Sequence, residues 1–201
     1  FWIDSDESGG PTFDWQDISG TGSKLVGQLA DDNYAGPFEI GFHFPFYDSV
    51  YSQIYIGSNG IIGFGSAGMA SRFKTSIPTT SVPNNILAWL WDDLNPLDSD
   101  NPGAGVFFDT SGGQCVIQFQ SYPEYGASAG DVITAQVILK PNGTIVYQYL
   151  YIAPGFDTEN CAVGIENHDG TDGLEVVYLS TYLKDSLAIE FVPPGRWLAL
   201  E

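Results

Sequence analysis

Nowhere in this chain do a dozen consecutive residues repeat their apolar positions with the helical period. Instead, short runs of alternating apolar and polar side chains are cut by 24 glycines and 12 prolines in 201 residues. Because successive strand residues face opposite sides, such alternation builds strands and argues against helices. The clearest hairpin runs from Asp131 to Ile152. Its first arm places Ile133, Ala135, Val137 and Leu139 on one face, the second runs from Thr144, and Asn142 and Gly143 suit a two-residue type I′ turn. A second hairpin is expected from Val50 to Phe64, turning at Ser58, Asn59 and Gly60. Further strands fit near Phe13–Ile18, Phe38–Phe44, Ile86–Trp91, Gly105–Phe108, Gln114–Gln120, Ala162–Glu166, Leu174–Leu179 and Leu187–Val192. The expected fold is all-β: a sandwich of roughly ten short, mostly antiparallel strands with long acidic loops, forming one domain over residues 1–201. Ser5–Asn33, apart from its strand candidate, and Ser66–Asn85 read as the long surface loops.

Charge narrows the partners. With 25 acidic and 6 basic side chains the net charge is −19, and Lys24, Arg72, Lys74, Lys140, Lys184 and Arg196 form no basic stripe. A nucleic-acid binder needs clustered basic residues to displace counterions, and an anionic lipid surface asks for the same, so neither is expected. Membrane insertion is not expected either, since the apolar run Ile86–Trp91 falls far short of the roughly 20 residues of a spanning helix. The start at Phe1 without an initiator Met suits the processed end of an exported protein. Cys115 and Cys161 each open a strand candidate. They are expected to pair in an oxidising compartment, the alternative being two small buried thiols.

Several segments in order resemble a known family. The run IYIGSNGIIGFG (Ile54 to Gly65) is similar to the strand-SerAsnGly-strand signature of nidogen-type (NIDO-like) extracellular domains and of their relatives in bacterial secreted and cell-surface proteins. PNNILAWLWDDLNP (Pro83 to Pro96) resembles the segment that follows in that family, with Leu and Trp in place of the usual Pro and Phe before the acidic pair. The strand from Gly105, the hairpin at Asn142 and AVGIENHDGTDG from Ala162 continue the likeness, as do the opening WIDSDESGGPTFDW and the later FHFPFY. The resemblance implies an extracellular, non-enzymatic module of adhesion or matrix proteins, and it does not specify a ligand.

The chemistry-bearing patterns are few. Gly63–Gly68 satisfies the dinucleotide spacing GxGxxG, but the following residues carry two basic side chains and a proline and lack a helix start, so the phosphate-binding context is missing. His43 and His168 are the two histidines; His43 is expected to face outward, and no nucleophile elbow accompanies either. Hard oxygen ligands are abundant. Asp92, Asp93, Asn95, Asp98, Asp100 and Asn101 lie around Pro96, where a tight loop would converge several on a Ca²⁺ ion, which takes six to eight such oxygens. Asn167, Asp169 and Asp172 form a second candidate, and Asp4, Asp6 and Glu7 a third. The competing reading is that these are solvated turns of an acidic protein. Asn142 with Thr144 forms a glycosylation sequon that a tight turn explains equally well. Trp89 and Trp91 are expected to share one strand face, as core or as a sugar-stacking pair.

The expected function is a structural or adhesive extracellular subunit. It is expected to form a homo-oligomer or homopolymer, with Phe1, Trp2 and Ile3, or Trp197 and Leu198, adding to a neighbouring copy's sheet edge. A carbohydrate-binding or accessory module of a larger secreted enzyme is the alternative, and would show a row of exposed tryptophans.

Overall fold

The computed structural model describes residues 1–25 and 27–193. Thirteen strands are present among them: β1 (Trp2–Asp4), β2 (Ser23–Lys24), β3 (Tyr34–Phe46), β4 (Ser49–Gly57), β5 (Ile61–Gly63), β6 (Ile86–Trp91), β7 (Gly105–Asp109), β8 (Cys115–Pro123), β9 (Val132–Leu139), β10 (Ile145–Ile152), β11 (Ala162–Glu166), β12 (Gly173–Tyr178) and β13 (Leu187–Phe191). They form a seven-stranded sheet, ordered β1-β13-β10-β9-β8-β7-β2, and a six-stranded sheet, β12-β11-β6-β5-β4-β3. Each pairing is antiparallel. This is the all-β sandwich expected from the alternation. Ile117, Phe119, Val137, Tyr147 and Ile189 from one sheet meet Ile54, Ile56, Leu87, Trp89 and Val163 from the other in a single buried cluster.

The two sheets are joined by more than apolar burial. Trp89 stacks on Phe119 across the interior with ring centroids 4.1 Å apart. The Tyr149 hydroxyl donates to the Trp89 carbonyl (2.6 Å) and the Tyr147 hydroxyl to the Gly164 carbonyl (3.0 Å). Both carbonyls lie where the β6–β11 register shifts, so the hydroxyls satisfy acceptors at an irregular stretch of ladder.

Every residue of β9 is buried, on both faces, because the outer face of its sheet is also covered. The Phe13–Ile18 segment, expected as a strand, joins no sheet. It crosses the sheet as a strap held by a row of glutamines. Gln148 Oε1 accepts from Asp14 N (2.7 Å), Gln118 Oε1 accepts from Ile18 N (2.9 Å), and Gln148 Nε2 returns a bond to the Asp14 carbonyl (2.9 Å). Gln136 Nε2 donates to the Gln16 carbonyl. The strap ends by seating Ile18 on Val116, Ile138 and Val146. On the opposite sheet the 64–85 connection performs the same task, with Met69 and Ile77 packed on Ile61, Ile86, Ala88 and Trp91. Each long loop therefore lies over the central strands of one outer face.

The N-terminal strand closes one side. β1 pairs with β13, Trp2 opposite Phe191 and Asp4 opposite Ile189. Trp2 Nε1 reaches across to the other sheet and donates to the Glu175 carbonyl of β12 (3.1 Å). Asp4 accepts from the Tyr182 hydroxyl and Asp6 from Lys184. Trp2 and Ile3 thus pair within this chain's own sheet, as part of its edge strand, and the Phe1 carbonyl accepts from Val192 N. Trp197 and Leu198, the other expected docking residues, lie outside the described residues.

Three further local expectations are corrected. Cys115 and Cys161 are both buried and unbonded. Cys115 starts β8 opposite Leu139, whereas Cys161 neighbours Asp92, Asp157 and Glu124 just beyond the far end of that strand. A strand's length separates the thiols, beyond any disulfide's reach. Trp89 and Trp91 face opposite sides, one in the central core and one beneath the 64–85 connection, because the irregular pairing between them adds a residue and reverses the alternation. Finally, the β9–β10 connection is a turn in which Gly143 N donates to the Lys140 carbonyl (2.9 Å), and Gly143, at φ 84°, takes the positive φ without Asn142. Asn142 is exposed there, and its Oδ1 accepts from Thr144 N (3.1 Å).

Candidate functional site

The SerAsnGly turn between β4 and β5 is the hub of one end of the sandwich. Asn59 is fully buried and spends its whole amide on neighbouring loops: Nδ2 donates to Asp32 Oδ1 (2.8 Å) and the Ala70 carbonyl (3.1 Å), and Oδ1 accepts from Leu94 N (2.9 Å). Ser58 and Asn33 exchange two bonds, Ser58 N to the Asn33 carbonyl (2.8 Å) and Asn33 N to Ser58 Oγ (3.0 Å). The Gly60 carbonyl accepts from both Trp89 N and Leu90 N, and Asp92 N donates to the Asn59 carbonyl (3.3 Å). This turn therefore positions the acidic pair that follows β6.

That pair diverges. Asp92 turns inward and is ion-paired with Lys74, their side chains 3% and 15% exposed. Asp93 turns toward Arg72, whose Nη1 lies 3.3 Å from Asp93 Oδ2 and 3.6 Å from Asp32 Oδ2. The carboxylates of Asp31, Asp32 and Asp93 gather within 4.8 Å of one another, with Arg72 already set against two of them. Glu124, opposite Leu94 in an isolated β-bridge, completes the end. Burial pushes its carboxyl up to about 7, opposed by the backbone hydrogen bond from Asp157, while the charges of Asp92, Asp157 and Lys74 act on it as well. Burial likewise raises Asp92 against the opposing pull of Lys74, and takes the Cys161 thiol up to about 12, which leaves it inert as a nucleophile.

The residues expected to converge on calcium do not do so. Asp92 is committed to Lys74. Asn95 Oδ1 accepts from Leu97 N (2.9 Å), and Asp98 Oδ1 accepts from Asp100 N and Asn101 N (3.0 and 3.1 Å), the self-bonded turns that Asn and Asp favour. Asn101 is buried, with Nδ2 donating to the Ser128 carbonyl and Oδ1 accepting from Gly130 N. Only Asp93 of the expected set enters a carboxylate group. Its companions Asp31 and Asp32, together with Arg72, Lys74 and Glu124, were not foreseen; the available signal was two basic residues standing two apart in a chain with six. Asn167 serves its own β11–β12 turn by accepting from Thr171 N (3.0 Å), and Asp4 and Asp6 serve the N-terminal clasp.

The surface of this end carries exposed apolar side chains among the acids: Phe73, Leu97 and Tyr125 are 73%, 63% and 58% exposed. At the opposite end a groove of about 860 Å³ is lined by Phe46, Tyr47, Ile165, Leu174, Phe191 and Val192. No row of exposed tryptophans exists among the described residues: Trp89 and Trp91 are buried, and Trp2 and Trp15 are half-buried. His43 is exposed, as expected, and His168 is exposed with Asp169 4.0 Å away.

A family model described as NIDO related matches residues 8–189, from just before the strap to within β13. The chain belongs to the NIDO-related family. No curated protein matches the chain, and no solved structure does. The NIDO-related match takes in the strap, the SerAsnGly hub and the acidic pair, so the segments that organise this end all lie inside the family domain. NIDO-related domains are typically extracellular, and the family is not one of known enzymes. No helix among the described residues is long and apolar enough to cross a membrane.

Buried carboxyls give this NIDO-related domain a testable pH response. Glu166 accepts from Thr79 N (2.6 Å), anchoring the 64–85 connection, and burial lifts its carboxyl from an ordinary 4.5 to about 7. An acid raised on folding stabilises the fold fully below its unfolded pKa, and that contribution is lost as pH rises through the folded value. Glu124 acts in the same sense, while Asp17, Asp109 and Asp169, lowered by hydrogen bonds from Ser19, Ser111 and Thr171, favour the fold above the ordinary carboxylate range. The melting temperature is therefore expected to be highest near about pH 5 and to fall toward about pH 8. Scanning calorimetry across that range checks it, and Glu166→Gln should flatten the decline. A melting temperature that climbs steadily to pH 8 would show that these groups do not govern stability.

Proposed function

We propose that this domain is a non-enzymatic, exported structural or adhesive subunit that works through surface contact and self-associates. The observation that carries this reading is the covering of the central strands on both outer sheet faces by the chain's own strap and loop, in a family whose domains are typically extracellular. Contacts are then left to the ends and edges of the sandwich and to the open outer face of β3 and β4, and the loop end supplies Phe73, Leu97 and Tyr125 among carboxylates. β1 is itself an edge strand of the seven-stranded sheet, paired with β13 on one side. Calcium has no share in the observation that carries this reading.

Copies bearing a net charge of −19 repel one another, so self-association should be governed by screening. Raising salt from about 0.01 M to about 0.15 M shortens the screening length from about 30 Å to about 8 Å. Sedimentation velocity over that range is expected to show growth from monomer to larger species, reduced by Phe73→Ser with Tyr125→Ser. A strict monomer at every salt and protein concentration would remove self-association from the reading.

A further inference from the structure

We propose that Lys74 and Asp92 condense to an intramolecular isopeptide bond, which staples the 64–85 connection to the end of β6. The amine and the carboxyl are already in contact: Lys74 Nζ meets Asp92 Oδ1, and the side chains are 15% and 3% exposed. An amine touching one carboxylate oxygen sits within near-attack range of the carboxyl carbon. The carboxyl is also held in place. Asp92 Oδ1 accepts from Asp93 N (2.8 Å), and the Asp92 backbone is tied to Asn59 at the hub. Beside it, Trp91 Nε1 donates to the Ser71 carbonyl (2.8 Å), so the connection bearing Lys74 is fastened to β6 independently of the ion pair.

Burial favours the uncharged carboxyl, one half of the reactive pair. A charged pair taken out of water loses hydration on both partners, and passing one proton from ammonium to carboxylate removes both charges at once. The neutral pair, amine beside carboxylic acid, is the pair that reacts. Desolvation raises the Asp92 carboxyl in the required direction. Glu124 is the proton carrier. Glu124 stands opposite Leu94, two residues beyond Asp92, and the charges of both Asp92 and Lys74 act on it. With its own carboxyl near 7 it holds or accepts a proton at neutral pH.

The step balances without any co-reactant. The Lys74 nitrogen lone pair forms a bond to Asp92 Cγ, giving a tetrahedral centre. Glu124 gives its proton to a hydroxyl on that centre, the C–O bond breaks, and water leaves with the former carboxyl oxygen. Glu124 then recovers a proton from the nitrogen. One amide has formed, one water has been released, and nothing has been oxidised or reduced.

The mass of the intact, denatured protein decides the matter. The expected value is below the sequence mass by one water, and trypsin should cleave after Arg72 but not after Lys74. Lys74→Arg keeps the positive charge but offers no attacking amine, and it should return to the full sequence mass, as should Asp92→Ala. Glu124→Gln should accumulate unlinked protein that refolded wild type does not. A wild-type protein at full sequence mass overturns the proposal, because that reading does not depend on any variant folding. A water lost equally from Lys74→Arg also overturns it, since that marks a cyclised aspartate. Glu124→Gln linking as fast as wild type would overturn the assigned role of Glu124.

Discussion

Gly60→Ala is expected to leave no folded protein at ordinary temperature. Gly60 adopts φ +75°, and a Cβ there would stand 1.7 Å from the Leu90 carbonyl oxygen and 3.2 Å from the Trp91 backbone nitrogen. Neither is the movable end of a side chain. They belong to β6, whose outer face is pressed under Met69 and Ile77 and whose inner face carries Trp89. Moving β6 aside would also break the two bonds that the Gly60 carbonyl accepts and shift Asn59, whose three side-chain bonds hold the 27–33, 66–75 and 92–95 segments. Steric strain at a positive φ and a collapsed buried network add, and the loss should exceed about 4 kcal/mol. Far-ultraviolet circular dichroism and the soluble yield read it directly. A cooperative melt within a few degrees of wild type would mean that β6 can yield at this point.

Trp2→Ala is the second large effect, expected to cost about 2–4 kcal/mol through lost aromatic packing and an unpaired carbonyl. The indole packs edge-on against Tyr182, ring centroids 6.0 Å apart, and its nitrogen is the bond that joins β1 to the Glu175 carbonyl on the other sheet. Trp2→Phe keeps most of the packing and loses only the bond, so about 1 kcal/mol is expected from it. The ratio of the two losses, from urea denaturation, separates burial from hydrogen bonding. The same pair of variants tests the role of the N-terminal strand. If Trp2→Ala keeps wild-type stability while changing the oligomeric state, the strand serves a neighbouring copy after all.

The alternation of β9 and β10 was legible because it depends only on near neighbours in sequence. What lay across those strands was not. Gln118, Gln136 and Gln148 are polar intrusions in otherwise apolar runs, and each marks a point where another backbone must be satisfied, but period-two reading counts them as solvent-facing. Phe13–Ile18 has the pattern of a strand for the same reason: it is extended and one-sided, yet its backbone partners are side chains. One extra residue near Leu90 reversed the face of Trp91, and no local signal announces such a bulge. Two cysteines at strand starts looked like partners, although antiparallel order puts one start at each end of the sandwich. Asp92 was read as one of several loop acids. Its fate was decided by a lysine eighteen positions earlier, brought to it only when the 64–85 connection folds over the sheet.

The Val192 amide donates to the Phe1 carbonyl at 2.9 Å, and this bond places both ends of the described chain at one corner. A polypeptide that entered at Phe1 and continued beyond Pro193 would arrive and depart side by side. Pulled from both directions, β1 and β13 would be opened like a zipper, one hydrogen bond at a time from that corner, the direction in which antiparallel strands resist least. Along that direction the β1–β13 pairing offers little mechanical resistance. The loop end, with its acidic and aromatic surface, lies at the far side of the sandwich from that corner.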